Sequence, residues 1–290
     1  MAFGQRKQEQ ETEERESKTF ENFRVDLKTP GIRLVRLLPF VDETGNLIDG
    51  AGNVSERGET ADEVRFAEIW WKFNIEGKEV QRNIITSWAK AYKNPVYDKI
   101  CELYDDKDTN KPKPRLKFAV NVYDRSPVVI TEKGIAIQND NREFVLADGS
   151  KVKGSPQPLN KIRVLEGSDG KTDNGKHMRA KFTALYGTVD RASEDELFAE
   201  PDPLFLHEFD IKIKVAGLGK DVQRDFFPGN NKEPLTKEVL LLPRYNLTEW
   251  LTPWPEDMLQ RLVDGEDYNE LIKEYKIVRF PRLMNDEAEF

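Results

Sequence analysis

The stretch KPKPRLKFAVNVYDRSP, Lys111 to Pro127, runs a basic segment straight into an aromatic β-strand. Lys111, Lys113, Arg115 and Lys117 occupy alternate positions, which sends their side chains to one side of an extended backbone. Pro112 and Pro114 fix φ and keep that backbone extended. Phe118, Val120 and Val122 then alternate with Ala119, Asn121 and Tyr123, and Asp124 to Pro127 closes the strand as a turn. The pattern predicts a sheet that grips phosphates with a basic rail and stacks bases on its aromatics.

Strand patterns continue on both sides of this stretch. IRLVRLLPF, from Ile32, sets Ile32, Leu34, Arg36 and Leu38 against Arg33, Val35 and Leu37, a first core strand stopped by Pro39. FAEIWWKFNIEGKEVQRNII predicts a hairpin from Phe66 to Ile85 that turns at Glu76, Gly77 and Lys78. A further hairpin is expected over 128–153, turning at Asp148 and Gly149, and another from Phe209 to Phe227, turning at Gly217 to Lys220. In that last hairpin Asp210, Lys212 and Lys214 share one face and Phe209, Ile211, Ile213 and Val215 the other. Helical periodicity marks TSWAKAYKNPVYDKICELY, the segment from Lys176 to about Val189, and two amphipathic runs near the end, TEWLTPWPEDMLQRLVDG and DYNELIKEYKIV. The expected fold class is mostly β with helical inserts (α+β), an OB-fold barrel core with a small C-terminal helical region. The expected organisation is a flexible arm at 1–28, a core at 29–230 with a helical insert at about 86–105, a helical appendix at 231–284, and an acidic tip at 285–290.

Composition limits what such a fold can do. The 290 residues carry a formal net charge of −8, 34% charged residues and 38% hydrophobic ones, so a DNA site has to be a local patch on a repelling molecule. A single cysteine, Cys101, excludes an intrachain disulfide framework and the common multi-cysteine zinc sites, and fits a reducing, cytosolic compartment. No apolar run approaches the ~18 residues of a membrane span, and the first residues lack the apolar stretch of a secretory signal. No cofactor or metal is expected.

Three patterns carry chemistry of different kinds. EGSDGKT, Glu166 to Thr172, fails as a phosphate loop because Leu165 stands where that motif needs its first glycine. Asp202 and Asp210 followed by Lys212 give an acid, acid, lysine order that a metal-dependent nuclease would use, against the plainer reading of Asp210 and Lys212 as cross-strand surface charges. The third pattern is the strongest. Trp70 and Trp71 are adjacent on a strand and face opposite sides, so one leaves the core unless helices cover both faces. Strand aromatics, Phe73 and Tyr123 among them, framed by Lys72, Arg82, Lys117, Arg125, Lys212, Lys214 and Arg224 make the constellation of single-strand binders, a basic groove with platforms for bases. A non-catalytic structural or adaptor protein with a β-barrel core is the rival without DNA.

These pieces together resemble the single-stranded DNA-binding, helix-destabilising protein of T-even-like bacteriophages. The similar parts are IRLVRLLPF, the FAEIWW to RNII hairpin, the helical insert, PKPRLKFAVNVYDRSP, the short helix after GKH and the hairpin FDIKIKVAGLGKD, over about residues 28–230. The resemblance implies an OB-fold that coats single-stranded DNA without strong sequence preference during phage replication, recombination and repair, and no catalysis. By position, Tyr104, the basic run around Lys113, Phe118, Phe209 and Lys214 inherit strand contacts. Where that family carries a His and three Cys on zinc, this chain has Ile84, Trp88, Asn94 and Tyr97, which implies packing in place of the metal. The end NDEAEF, with Asp286, Glu287, Glu289 and Phe290, is similar to the tips with which other single-strand binders recruit a polymerase, helicase or primase and occupy their own empty groove.

Overall fold

The structure is a computed structural model that describes residues 23–49, 51–56, 58, 63–75, 78–88, 102, 115–169, 178, 179, 181, 185, 207–217 and 222–284, with the backbone alone described at 73–75, 78–82 and 86–88. Twelve strands and four short helices are described: β1 (Gly31–Leu37), β2 (Val64–Ile75), β3 (Lys78–Trp88), β4 (Arg115–Asp124), β5 (Pro127–Thr131), β6 (Gly134–Gln138), β7 (Phe144–Val145), β8 (Lys151–Val152), β9 (Gln157–Pro158), β10 (Lys161–Ser168), β11 (Ile211–Ala216), β12 (Gln223–Pro228), α1 (Lys237–Leu240), α2 (Leu247–Trp250), α3 (Glu256–Val263) and α4 (Tyr268–Glu274). The protein is mostly β with a few helices.

Two compact units divide the described residues, the first within Met1–Asp62, Val120–Glu166 and Lys181–Tyr245, the second within Glu63–Ala119, Gly167–Ala180 and Asn246–Phe290. This division departs from the one expected from sequence. The β2–β3 hairpin groups with the last helices instead of with the main β core, and the helical region splits after Tyr245.

In the first unit β12 pairs with β11, β11 with β1, and β1 with the second half of β4, every pairing antiparallel. β11 follows the expected alternation: Ile211, Ile213 and Val215 are buried while Lys212 and Lys214 are half-buried. A five-stranded sheet of order β8-β7-β6-β5-β9 also belongs to this unit. The single hairpin expected over 128–153 is therefore a run of three, turning at Glu132–Lys133, over 139–143 and around Asp148, with Phe144 and Leu146 packed with Val129 and Ala136. Gly31 makes close packing of β1 possible, because a Cβ there would stand 2.8 Å from the Gln138 carbonyl oxygen and its φ of +144° favours glycine.

In the second unit β2 and β3 form the expected hairpin, paired from Phe66 opposite Trp88 to Ile75 opposite Lys78 with a register shift between Ala67 and Glu68. The first half of β4 pairs with β2, Glu68 standing opposite Arg115. Because β3 continues to Trp88, the helical insert does not begin at 86; of its remaining span only Glu102, which is helical, is described. Prolines 253 and 255 separate α2 from α3, as missing N–H groups and fixed φ dictate. Asp267 caps α4 by accepting from the Asn269 and Glu270 amides at 2.8 and 3.0 Å. These helices are no appendix. Trp254, Met258, Leu259, Leu262, Tyr268 and Leu271 share one core cluster with Ile69, Trp71 and Ile84 of the hairpin, and the Trp254 amide donates to the Ile85 carbonyl at 2.9 Å.

Candidate nucleic-acid interface

β4 itself is covered on both sides, since every residue from Phe118 to Asp124 is buried. The two faces expected from alternation, Phe118, Val120 and Val122 against Ala119, Asn121 and Tyr123, are thus both covered. Phe118, at 2% exposure, and Phe209, at 3%, are core rings in this structure and offer no platform to a base. Trp71, expected with Trp70 among the strand contacts, is likewise core, at 4%, packed with residues of the C-terminal helices. Tyr123 is buried at 8% beneath the Arg125 guanidinium, 6.0 Å from its ring centroid.

Trp70, on the other side of the hairpin, is 40% exposed. The Arg115 guanidinium lies 4.6 Å from its ring centroid, and its Nε1 donates to the Glu68 carboxylate at 3.2 Å. Glu68 is 2% exposed and also takes the Lys117 ammonium at 2.8 Å. Of the basic rail, then, Arg115 is exposed above a tryptophan and Lys117 is committed to a buried carboxylate, while Lys111 and Lys113 lie outside the described residues. Lys72 is exposed on β2. Phe73 and Arg82 sit on β2 and β3 without described side chains.

The first unit gathers a second group on one sheet face. Cross-strand register places Lys212 between Leu34 on β1 and Phe227 on β12, and Lys214 between Ile32 and Asp225. Directly opposed residues point to the same face with neighbouring Cβ atoms. Phe227 is 45% exposed on the edge strand, and with Lys212, Lys214, Asn230 and Asn231 it lines an open cleft of about 600 Å³. Phe227 lay within the predicted hairpin but outside the predicted site; its position directly across from Lys212 was the signal that would have found it.

Asp210, at the base of this cleft, is 4% exposed and no surface charge. Its Oδ1 accepts from Arg36 Nε at 2.9 Å and from Arg125 Nη2. Arg36 is fully buried and also donates to the carbonyls of Asn231, at 2.8 Å, and Glu233. Burial lowers the Arg36 pKa, with Asp210 acting against that loss. The carboxylate proposed for a nuclease is thus already neutralised by two guanidiniums, and Asp202 lies outside the described residues. Among the described residues no cluster of His, Cys, Asp and Glu is arranged to hold a metal ion.

Arg33 is the second fully buried guanidinium of β1. It donates to the Asp26 and Thr29 carbonyls, both at 2.6 Å, and burial lowers its pKa to about 10 against the attraction of Asp26 and Asp124. Arg224 spends its Nε on the Leu27 carbonyl at 3.0 Å, and burial lowers its pKa too. Neither is a free phosphate ligand. Ile84 is core, whereas Asn94, Tyr97, Tyr104 and the tip residues Asp286, Glu287, Glu289 and Phe290 lie outside the described residues.

No protein-family model and no curated protein matches this chain. No helix among the described residues is long and apolar enough to cross a membrane.

Proposed function

We propose that the chain is a sequence-nonspecific single-stranded DNA-binding protein built on an OB-fold core. The observation that carries this reading is the sheet face on which exposed Phe227 stands beside Lys212 and Lys214 over an open cleft of about 600 Å³, in a chain whose net charge is −8. Exposed aromatic rings beside cations are what a single strand needs, because its bases are free to stack and its phosphates remain accessible. Trp70 under Arg115 supplies a second pairing of the same kind. The resemblance to phage helix-destabilising proteins supports the same reading, and extends it to replication, recombination and repair, with a polymerase or helicase recruited through the tip ending in Phe290.

A fluorescence titration tests it. Poly(dT) should quench tryptophan emission, duplex DNA should bind far more weakly, and the single-strand affinity should fall steeply with salt as counterions are released. Equal affinity for single strands and duplex, or none for either, would sink the reading.

A further inference from the structure

Resting on that reading, we propose that the cleft of the first unit is a subsite for one unpaired nucleotide, with Phe227 as the base platform, Lys212 as the phosphate ligand and Asp140 as a resident competitor for Lys214. The volume of about 600 Å³ falls within the range of roughly 300 to 1,000 Å³ typical of small-ligand sites. A base held in a duplex is stacked and paired, so it reaches such a platform only after leaving the stack.

The lining contributed by Gly229 to Asn231 is preorganised. Arg36 holds the carbonyls of Asn231 and Glu233, the Asp210 amide donates to the Asn231 carbonyl at 3.0 Å, and the Gly229 amide donates to the Asp210 carbonyl at 2.5 Å. The Asn231 Oδ1 accepts from the Glu233 amide at 2.8 Å, which fixes that carboxamide and leaves its Nδ2 without a protein partner among the described residues. A carboxamide fixed through its oxygen presents an N–H donor, which suits the carbonyl edge of a pyrimidine or guanine and serves several bases alike.

The two lysines differ in state. Lys212 has no ion-pair partner among the described residues, whereas the Lys214 ammonium is 2.6 Å from the Asp140 carboxylate, with the side chains 39% and 52% exposed. An exposed ion pair of this kind is weak and opens easily. A phosphodiester arriving at Lys214 therefore exchanges one anion for another, and Asp140, left on the rim, repels the rest of the strand.

The test combines cross-linking with two variants of the full chain. A short oligothymidylate carrying one 5-iodouracil is irradiated with the protein, and the adduct is mapped by mass spectrometry. The adduct should fall on Phe227, Phe227→Leu should weaken binding by about tenfold through loss of one stacked base, and Asp140→Asn should tighten it by about two- to fivefold at low salt, the gain fading as salt rises. Circular dichroism checks that both variants keep the fold. Strand binding with adducts only on Trp70 or elsewhere, and an unchanged affinity in Phe227→Leu, would overturn the subsite and leave the single-strand reading standing. Absence of single-strand binding in the unmutated protein would overturn both. An Asp140→Asn affinity equal to or below the unmutated value across salt would remove Asp140 from the proposal.

Discussion

Arg36 and Asp210, separated by 174 positions in the chain, form an ion pair of 2.9 Å whose side chains are 1% and 6% exposed. Both charges have left water, and each is tolerable only because the other is there. Asp210→Ala should therefore destabilise the protein by roughly 3 to 5 kcal/mol, since it strands the buried Arg36 and removes a partner from Arg125. Urea unfolding measures this directly. A loss below about 1 kcal/mol would mean that water reaches Arg36 readily and that the pair is an ordinary surface contact.

Trp70 and Trp71 make opposite predictions despite being neighbours. Trp71→Ala removes a ring from the cluster shared by β2, β3, α3 and α4, and should cost about 3 to 5 kcal/mol. Trp70→Ala removes a ring that is 40% exposed and stacked by Arg115, and should cost roughly 1 kcal/mol or less while abolishing most of the DNA-induced quenching. Comparable losses of stability in the two variants would show that the two sides of this hairpin are not so differently covered.

Local pattern was enough for the β2–β3 and β11–β12 hairpins, because strand alternation and turn residues are decided by near neighbours. It was enough to say that one of Trp70 and Trp71 had to be covered, and not enough to say by what. The covering residues, Trp254 and Leu259 among them, come from α3 and the connection before it, more than 180 positions later. The same limit explains β4. Alternation gave Phe118 and Tyr123 to opposite faces of a two-sided strand and the resemblance made Phe118 a strand contact, yet a strand covered on both sides buries both faces from Phe118 to Asp124 whatever their order. Arg33 and Arg36 were illegible as core residues, because a charged side chain in a sequence reads as surface until a buried partner such as Asp210 is known.

The loop after β1 gives a prediction in pH. Asp42 accepts hydrogen bonds from the Asn46 amide, the Thr44 hydroxyl and amide, and the Asn46 carboxamide at 2.8 to 3.0 Å. The Asn46 amide contributes most to holding its pKa at about 2, below the ordinary 3.8. A folded value below the unfolded one means that the stabilisation is complete above 3.8 and is lost as pH falls toward and through about 2. Carbon-13 NMR of the Asp42 carboxyl should titrate with a midpoint near 2, and Asp42→Ala should abolish the acid loosening of this loop. A midpoint at the ordinary carboxylate value would show that the hydrogen bonds are not held in solution.

Gly229 ties the stability of the first unit to the geometry of its cleft. A Cβ at this position would stand 2.5 Å from the Asp210 carbonyl oxygen and 3.0 Å from the Asp210 carbonyl carbon, both backbone atoms that cannot swing aside as a side-chain tip could. Asp210 is in turn held by Arg36 and Arg125, so in Gly229→Ala the 229–233 segment has to give way. Overpacking of this kind costs about 1 to 3 kcal/mol. The same shift moves Asn231 away from Phe227, so strand affinity should fall while the salt dependence stays near that of the unmutated protein, because Lys212 and Lys214 are untouched. Asn230→Ala is the matched control for stability alone, an exposed side chain next in sequence whose loss leaves the backbone in place and should cost less than about 0.5 kcal/mol. Equal stability in Gly229→Ala and Asn230→Ala, with a strand affinity in Gly229→Ala equal to that of the unmutated protein, would refute the claim that the backbone approach of Gly229 to Asp210 sets this wall of the cleft.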